Sequence, residues 1–382
     1  MDRMIPRRFP FLAALLAMLL LATPASAGGF DQELARWAAA LETRLVTLES
    51  SPAEAMPVTA IPRGPVLKPG MADPRVIDLT RRLIELGYLE PGSERDVLDD
   101  LVLAAVQTFQ TERDLNPDGK VGGATLAALN LTPAKEIASI RETLSRMTEF
   151  ATNAPSTLVL VNLPAQELYL VRNGETVMTM DTAVGSSARP TPLLTDTITH
   201  VIVNPTWTVP PTVMKQDKLP NLRRTGQPGI DHATVWLDGQ VVDPAIVDWT
   251  GVSPWRVRIT QSPGDHNALG RYRFNLTNGD DIYLHGTNDR RVFNRDRRAV
   301  SSGCVRLADP KALAEALLGT AGFTPERISN WVDSGETRWI KLAQPMPTRF
   351  VYWPAVLRND RVVVLPDIYG IVPSAEIVAA TN

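Results

Sequence analysis

The chain has 382 residues and a formal net charge of −3, with 39 Lys and Arg residues against 42 Asp and Glu residues. It has no block of basic residues that could neutralise a series of phosphates, so nucleic acid is not expected as a partner. Four histidines are scattered along the chain, and the single cysteine has no second thiol nearby. The sequence therefore predicts neither a metal site nor a cofactor. This length accommodates a small domain and a larger one.

The first 27 residues have the pattern of an export signal. Arginines near the start are followed by an apolar run at 11–22 and by the cleavage pattern ASA at 25–27. The run is shorter than the roughly 20 apolar residues that span a bilayer, so we expect no stable membrane insertion of the mature chain. The sequence predicts a signal peptide at 1–27 and a periplasmic protein. It leaves the choice between Sec and twin-arginine export open.

Residues 28–70 are predicted to contain a helix and a linker. Apolar residues recur with helical periodicity from 30 to 48, and 51–70 contains five prolines. A compact three-helix unit is predicted at 71–131, from its helical periodicity and from the turn NPDGK that precedes its last helix. A connecting helix is expected at 132–154.

The unit at 71–131 resembles the peptidoglycan-binding module of cell-wall enzymes. Three segments follow the pattern of that family in order and spacing, namely LIELGYL at 83–89, AVQTFQ at 105–110 and DGKVGGATLAAL at 118–129. Leu98 departs from the pattern, because the family often has an aromatic residue there. The resemblance implies that the module binds peptidoglycan glycan or peptide. The alternative is a helical spacer without a ligand.

After residue 155 the pattern changes to strands, with an Asn173-Gly174 hairpin turn. Further strands are predicted at 197–203, 255–260, 271–274, 281–284 and 338–342, and helices at 309–318 and 324–331. The predicted fold class is multidomain α+β, with a small three-helix module ahead of a mainly β domain at 155–372. Residues 373–382 are expected to form a C-terminal tail.

Cys304 is the candidate nucleophile. A lone thiol in an exported protein has no disulfide partner and is open to oxidation, so its presence favours a chemical role. His285, 19 residues earlier, could accept the thiol proton, and the carbonyl of Gly286 could hold the imidazole in one tautomer. The backbone N–H groups of Gly303 and Cys304 could together stabilise an oxyanion. The alternative for such a cysteine is a small buried hydrophobe.

These residues belong to two motifs that resemble the signature of the L,D-transpeptidase (YkuD-type) catalytic domain, HGT at 285–287 and SSGCVRL at 301–307. Ser302 departs from it, since many members have a second histidine there. The resemblance covers about 155–372 and points to the large periplasmic branch, in which a peptidoglycan-binding module shares the chain. Other matching segments are 183–185, Pro192, 204–211, 267–270 and 366–370.

The resemblance implies a peptidoglycan L,D-transpeptidase. In such enzymes the cysteine attacks the carbonyl of the third residue of a tetrapeptide stem, usually meso-diaminopimelate, and releases D-alanine. The side-chain amine of another stem then resolves the thioester and forms a 3→3 cross-link. The implied roles are Cys304 as nucleophile, His285 as base and then acid, and Gly286 as the orienting carbonyl. The implied oxyanion and substrate-binding residues are Gly303, Ser301, Ser302, Arg306 and Tyr283.

Arg306 and an insertion complete the predicted site. Arg306 lies two residues beyond Cys304 and suits a stem carboxylate. The segment 204–254 is long for a loop, and its tryptophans argue against disorder. The resemblance implies that it forms a lid over the active site, which would exclude water and favour an amine acceptor. The alternative is that the tryptophans only form a small core within the insertion.

Two other functions remain open at this point. The same Cys–His pair with water as acceptor would give an L,D-carboxypeptidase or a hydrolase of cross-links. A non-catalytic wall-binding protein would act through 71–131 alone. The resemblance also implies that β-lactams of the carbapenem type acylate Cys304.

Overall fold

The computed structural model describes residues 29–50, 58–113 and 115–373. The predicted signal peptide and nearly all of the predicted C-terminal tail lie outside the described residues. Among the helices that are described, none combines the length and the apolar character that crossing a membrane would require.

Three helices form the N-terminal module: α2 (Arg75–Glu85), α3 (Asp100–Glu112) and α4 (Gly123–Leu129). The Asp99 carboxylate caps α3 by accepting hydrogen bonds from the first free N–H groups of the helix. The helices bury an apolar core that includes Leu83 and Phe109. This helical module ahead of a mainly β domain confirms the predicted fold class.

The module begins earlier than the linker prediction for 51–70 implies. Ile61 and Leu67 are 2% and 1% exposed and belong to the core of the module. Ile61 also exchanges two backbone hydrogen bonds with the Asn130 side chain, at 2.9 and 2.8 Å. Proline content alone suggests an extended linker, but the apolar residues between the prolines are buried. The chain therefore enters and leaves the module at one place, which we call the neck (Ile61 and Asn130).

Helices α1 (Gly29–Ser50) and α5 (Pro133–Thr152) lie on either side of the module in sequence and pack against each other. Arg44 and Glu136 join them through two hydrogen bonds of 2.6 and 3.0 Å. Both helices pack against Trp353 of the β domain, whose ring meets Trp37 and Phe150 edge-on. Aromatic pairs of this kind contribute about 0.5–1.5 kcal/mol each beyond their burial. The predicted connecting helix is therefore a structural part of the β domain.

A nine-stranded sheet forms the β domain, in the order β11-β3-β12-β10-β9-β4-β13-β1-β2, and an extra β2–β3 pairing closes it into a barrel. Its central apolar cluster is shared with α8 (Pro310–Gly319) and α9 (Pro325–Asp333). The strands of this sheet are β1 (Leu158–Asn162), β2 (Glu167–Arg172), β3 (Glu175–Gly185), β4 (Leu194–Val203), β9 (Tyr272–Asn275), β10 (Leu284–His285), β11 (Ala299–Ser301), β12 (Val305–Leu307) and β13 (Arg338–Val351). A separate hairpin of β14 (Ala355–Arg358) and β15 (Arg361–Val364) packs under α1.

Two strands differ in length from the predictions. Strand β13 continues to Val351, beyond the predicted end at 342. A register shift between Lys341 and Met346 contains Pro345, and pairing with β4 resumes at Met346 and Pro347. Strand β10 contains only Leu284 and His285, whereas a strand was predicted at 281–284. Asp281 has a φ of 55°, which interrupts the extended chain before the strand.

The predicted insertion folds as a unit with a sheet of its own. Its strands lie in the order β5-β8-β6-β7 within this sheet. Strand β8 comes last in the chain and ends at Gln261, so the unit extends beyond the predicted limit of 254. The insertion buries Trp249 (3% exposed) in its own core, whereas Trp255 is 82% exposed. Its elements are β5 (Trp207–Thr208), α6 (Pro211–Val213), a π-helical turn (Met214–Lys218), α7 (Leu219–Thr225), β6 (Ala233–Leu237), β7 (Gln240–Val242) and β8 (Val257–Gln261).

Candidate active site

The register of three strands places the candidate residues on one face of the sheet. Strand β10 pairs with β12 on one side and with β9 on the other, and Leu284 and its partner Val305 are buried in the core. Side chains alternate between the two faces of a strand. His285 and its strand partner Arg306 therefore lie on the face away from the core, and Cys304 precedes β12 on the same side.

Cys304 holds a protonated thiol near neutral pH. It is partly exposed, and its Sγ lies 3.5 Å from the carbonyl oxygen of Asp281, to which the thiol donates. Burial raises the pKa of this thiol to about 11, and the neighbouring Tyr283 N–H and two arginines act in the opposite direction. A base is therefore needed to generate the thiolate.

His285 provides a neutral imidazole with a defined tautomer. Its ring is 5% exposed, and burial first, then the charge of Arg306, lowers its pKa to about 3. Nδ1 lies 2.5 Å from the Gly286 carbonyl oxygen. A carbonyl can only accept, so Nδ1 carries the proton and Nε2 retains a lone pair. In the described part of the chain, no hydrogen bond connects this ring to Cys304.

The loop before Cys304 is held by internal hydrogen bonds. Gly303 has a φ of 119°, which favours glycine, and its N–H donates to Ser301 Oγ at 3.2 Å. Ser301 Oγ in turn donates to the Cys304 carbonyl at 2.6 Å. The Gly303 N–H is thus engaged, contrary to the expectation that it would be available to an oxyanion. The Cys304 N–H has no acceptor among the residues that the structure describes.

A second group of residues, of which Thr191 was not predicted, supports this loop from β3. Thr191 Oγ1 donates to the Gly303 carbonyl at 2.7 Å and accepts from the Gly185 N–H at 2.8 Å. The Tyr369 hydroxyl lies 2.9 Å from the Gly185 carbonyl and 3.1 Å from the Thr191 N–H. The matched segments 183–185 and 366–370 thus meet behind the Cys304 loop. Thr191 stands beside the matched Pro192 and carries no motif of its own.

The charged residues of this face are arginines. The Nε atom of Arg306 is buried and has no hydrogen-bond partner, and burial lowers the pKa of this guanidinium. Arg273 on β9 lies opposite His285 in the ladder, and its guanidinium carbon is 4.0 Å from the centre of the Tyr283 ring. Tyr283 is nearly buried, which raises the pKa of its phenol. Arg273 was not among the predicted residues.

The insertion contacts the site through Arg189, which follows β3. Its guanidinium binds both carboxylate oxygens of Asp217 at 2.6 and 2.7 Å, and Gln216 Oε1 at 2.7 Å. It also donates to Ser302 Oγ at 2.9 Å. Ser302 is exposed, and its hydroxyl thus connects the Cys304 loop to the π-helical turn of the insertion. Arg189 lowers the pKa of Asp217.

Within residues 29–50, 58–113 and 115–373, no group of three or more His, Cys, Asp or Glu side chains is placed to hold a metal ion. The arrangement that remains is a thiol, a neutral imidazole and two guanidinium groups. It suits attack on a carbonyl carbon near a negatively charged group.

Comparison with known proteins identifies the family of each part. A family model described as "L,D-transpeptidase catalytic domain" matches residues 156–362, which is more than half of the chain. A second model, described as "Putative peptidoglycan binding domain", matches residues 72–129.

Similar proteins include a curated relative from Haemophilus influenzae named "Putative L,D-transpeptidase". It is 38% identical over 217 residues, which are 56% of this chain and 44% of the relative. The match thus spans less than half of that relative's length. Solved structures include an L,D-transpeptidase from Mycobacterium smegmatis (TM-score 0.25, 14% identity, 50% of this chain, 58% of that chain). Another comes from Stackebrandtia nassauensis (TM-score 0.24, 14% identity, 80% of this chain, 100% of that chain). On the match at 156–362, the chain belongs to the L,D-transpeptidase family.

Proposed function

We propose that this protein forms 3→3 cross-links between peptidoglycan stem peptides through a thioester on Cys304. The observation that best supports the proposal is the state of His285. Its imidazole is neutral, its Nδ1–H is held by the Gly286 carbonyl, and Nε2 is left as a base on the face that carries Cys304. Arg306 supports the choice of an anionic substrate, because its buried Nε has no partner.

Acylation begins when the thiol leaves the Asp281 carbonyl and gives its proton to His285 Nε2. The new bond joins Sγ to the carbonyl carbon of the third stem residue, and the carbonyl electron pair moves onto oxygen. The Cys304 N–H donates to this oxyanion. When the carbonyl re-forms, the bond to the terminal D-alanine breaks, and the imidazolium gives its proton to the departing amine.

The acceptor stem reverses these steps. Its side-chain amine attacks the thioester carbon while His285 Nε2 takes one of its protons. The carbon–sulfur bond then breaks, and the Cys304 thiolate recovers a proton from the imidazolium. Water in place of the amine gives a tripeptide, so the product depends on what the closed site admits.

We further propose that the insertion acts as the lid of this site, with 204–254 as its main part. Its own buried core makes it a rigid unit. The bidentate contact between Arg189 and Asp217 and the bond to Ser302 support a closed position beside Cys304.

The place of action is the periplasm in this proposal. The predicted signal peptide at 1–27 and the peptidoglycan-binding family of 72–129 support it. We propose 71–131 and 155–372 as the main parts of the two domains, with Ile61 and Leu67 added to the module and α1 and α5 added to the β domain.

Purified tetrapeptide muropeptides and mass spectrometry of their products test the function. Wild-type protein should give dimers with 3→3 links and release D-alanine. We expect Cys304→Ala to lose both products, with circular dichroism showing that the variant is folded. Val300→Ala is a matched control, since Val300 is exposed, lies just before the same loop and takes no part in the proposed steps.

Three outcomes would contradict the proposal. Tripeptides without dimers would replace transpeptidation with L,D-carboxypeptidase activity. Full turnover by Cys304→Ala would remove the thioester mechanism altogether. The protein could also bind peptidoglycan but form no product, and a carbapenem could fail to acylate Cys304. This result would indicate a non-catalytic wall-binding protein.

A further inference from the structure

Two arginines flank the candidate base in a single row across the sheet. His285 is the ladder partner of Arg306 on β12 and of Arg273 on β9. Phe274, next to Arg273, is buried in the core, so Arg273 lies on the face that also carries His285. Adjacent strands are about 4.8 Å apart, which places the two arginine backbones roughly 10 Å from each other.

Among the described residues, neither of these guanidinium groups has a carboxylate within salt-bridge distance, and Asp289, whose charge acts on Arg306, is paired with Arg291. The Nε atoms of both Arg273 and Arg306 are buried without a hydrogen bond. No salt bridge to either arginine is formed among the described residues. Other arginines near the site do have acidic partners, in the pairs Arg189–Asp217, Arg271–Asp265, Arg291–Asp289 and Arg298–Asp181.

An unpaired and partly buried cation is costly unless a ligand supplies the opposite charge. Arg273 is also fixed in orientation, since it stacks on the Tyr283 ring and donates to Asn275 Oδ1 at 2.7 Å. One face of its guanidinium thus lies on the Tyr283 ring, and its Nε is left for a ligand, since a planar guanidinium suits a carboxylate. The exposed ring of Trp339 lies beyond it, 6.0 Å from the guanidinium, and continues the open face.

We propose that Arg273 binds a second free carboxylate of the donor stem peptide, on the side of His285 opposite to Arg306. The site then takes stems with two free carboxylates around the scissile bond, the terminal one of D-alanine and the side-chain one of diaminopimelate. A stem amidated at either position is a poorer donor. This inference rests on the proposed function, because it concerns the donor of the same reaction.

The test compares three donor tetrapeptides: unmodified, amidated at the diaminopimelate side chain, and ending in D-alaninamide. Wild-type kcat/KM should fall about 10- to 100-fold on either amidation, as expected for loss of a charged hydrogen bond. Arg273→Gln should lower kcat/KM for the unmodified donor by a similar factor. For this variant, one of the two amidations should cause no further decrease in kcat/KM. Arg306→Gln should lose sensitivity to the other. Arg273→Lys should recover part of the activity, since it keeps the charge without the fork.

Arg338→Gln on β13 is the charge-matched control, because Arg338 is paired with Glu336 outside this row. It should keep the response of wild type to both amidations. Full sensitivity of Arg273→Gln to both amidations would overturn the inference while leaving the proposed function intact. The proposed function itself fails if wild-type protein does not process the unmodified donor. Should Arg273→Gln not fold, the same comparison is made with Arg273→Lys.

Discussion

At the scale of single residues, the protonation states of His285 and Cys304 determine how the site starts its reaction. Burial lowers the pKa of the imidazole to about 3 and raises the pKa of the thiol to about 11. Both groups are therefore neutral over the whole physiological range, and no thiolate–imidazolium pair forms in advance. In the proposed mechanism, the proton moves only when a substrate carbonyl is in place, so the free protein keeps a less reactive sulfur.

A pH profile follows from these pKa values. In the proposed mechanism the base is the neutral imidazole, so a lowered pKa of His285 preserves activity in acid. A histidine of ordinary pKa would lose about tenfold in rate between about pH 7.5 and about pH 5.5. We expect the rate at which a carbapenem acylates Cys304, measured by intact mass spectrometry, to change far less over this pH range. An acid limb with its midpoint near the ordinary histidine pKa would contradict the neutral-pair mechanism. The Arg306 charge lowers the pKa of His285, so Arg306→Gln should raise this pKa. The fall of the acylation rate in acid should therefore occur at a higher pH in this variant.

The sequence predicts some of these residues better than others. Cys304 and His285 stand in short continuous motifs, and a motif can be read without knowledge of the fold. Arg273 and Thr191 reach the site only because the register of β9 and the turn after β3 bring them there. No local pattern encodes such pairings. The Gly303 N–H shows the same limit, because its bond to Ser301 Oγ depends on the shape of the loop.

At the scale of elements, the insertion has a core of its own and also a contact beside the Cys304 loop. Trp249 belongs to a core within the insertion, as the packing alternative requires. The π-helical turn nevertheless contacts Arg189 beside the Cys304 loop, and π-helical turns are frequent at functional sites. Composition indicates that such a segment is folded, but not which of its surfaces meets the rest of the domain.

Breaking this contact should change the products more than the stability. Asp217→Asn and Arg189→Gln should raise the ratio of tripeptide to cross-linked dimer, because a loosened insertion admits water. The pair is partly exposed, so unfolding free energy should fall by less than about 1 kcal/mol. Mass spectrometry of the products and thermal unfolding measure the two effects.

Arg256→Gln is the matched control for the insertion. It breaks another Arg–Asp pair, with Asp238, that lies within the insertion and makes no contact with the Cys304 loop. Its product ratio should equal that of wild type. An equal rise in this control would show that the ratio reports general loosening and not the contact with Ser302.

At the scale of the whole molecule, the module is an insertion between two helices that belong to the β domain. Helices α1 and α5 pack together and against Trp353, and Thr143 of α5 accepts a hydrogen bond from the Ala355 N–H. The sequence predicts both helices, but helical periodicity does not indicate what a helix packs against. Their position gives the β domain a second apolar core.

Two deletions should therefore behave differently. Removal of 58–131 takes out the module with its neck, so acylation of Cys304 should stay within about twofold of wild type, as for independent sites. Removal of 71–131 leaves Ile61 and Leu67 without their core, and each loses about 1.5–3 kcal/mol of burial. This variant should retain its chemistry but aggregate more readily. Sedimentation with peptidoglycan should fall in both. Loss of folding in the 58–131 deletion would show that the module supports the β domain.

The neck also has a mechanical consequence. The chain enters the module at Ile61 and leaves it at Asn130, and these two residues are bonded to each other. A pull on the module is therefore carried by two lengths of chain side by side and is passed on to α1 and α5. Because Ile61 and Asn130 are hydrogen-bonded, a tension along the chain between α1 and α5 can cross at the neck without passing through the helices of the module. An enzyme attached in this way to a stretching wall would move with it and keep its active site folded.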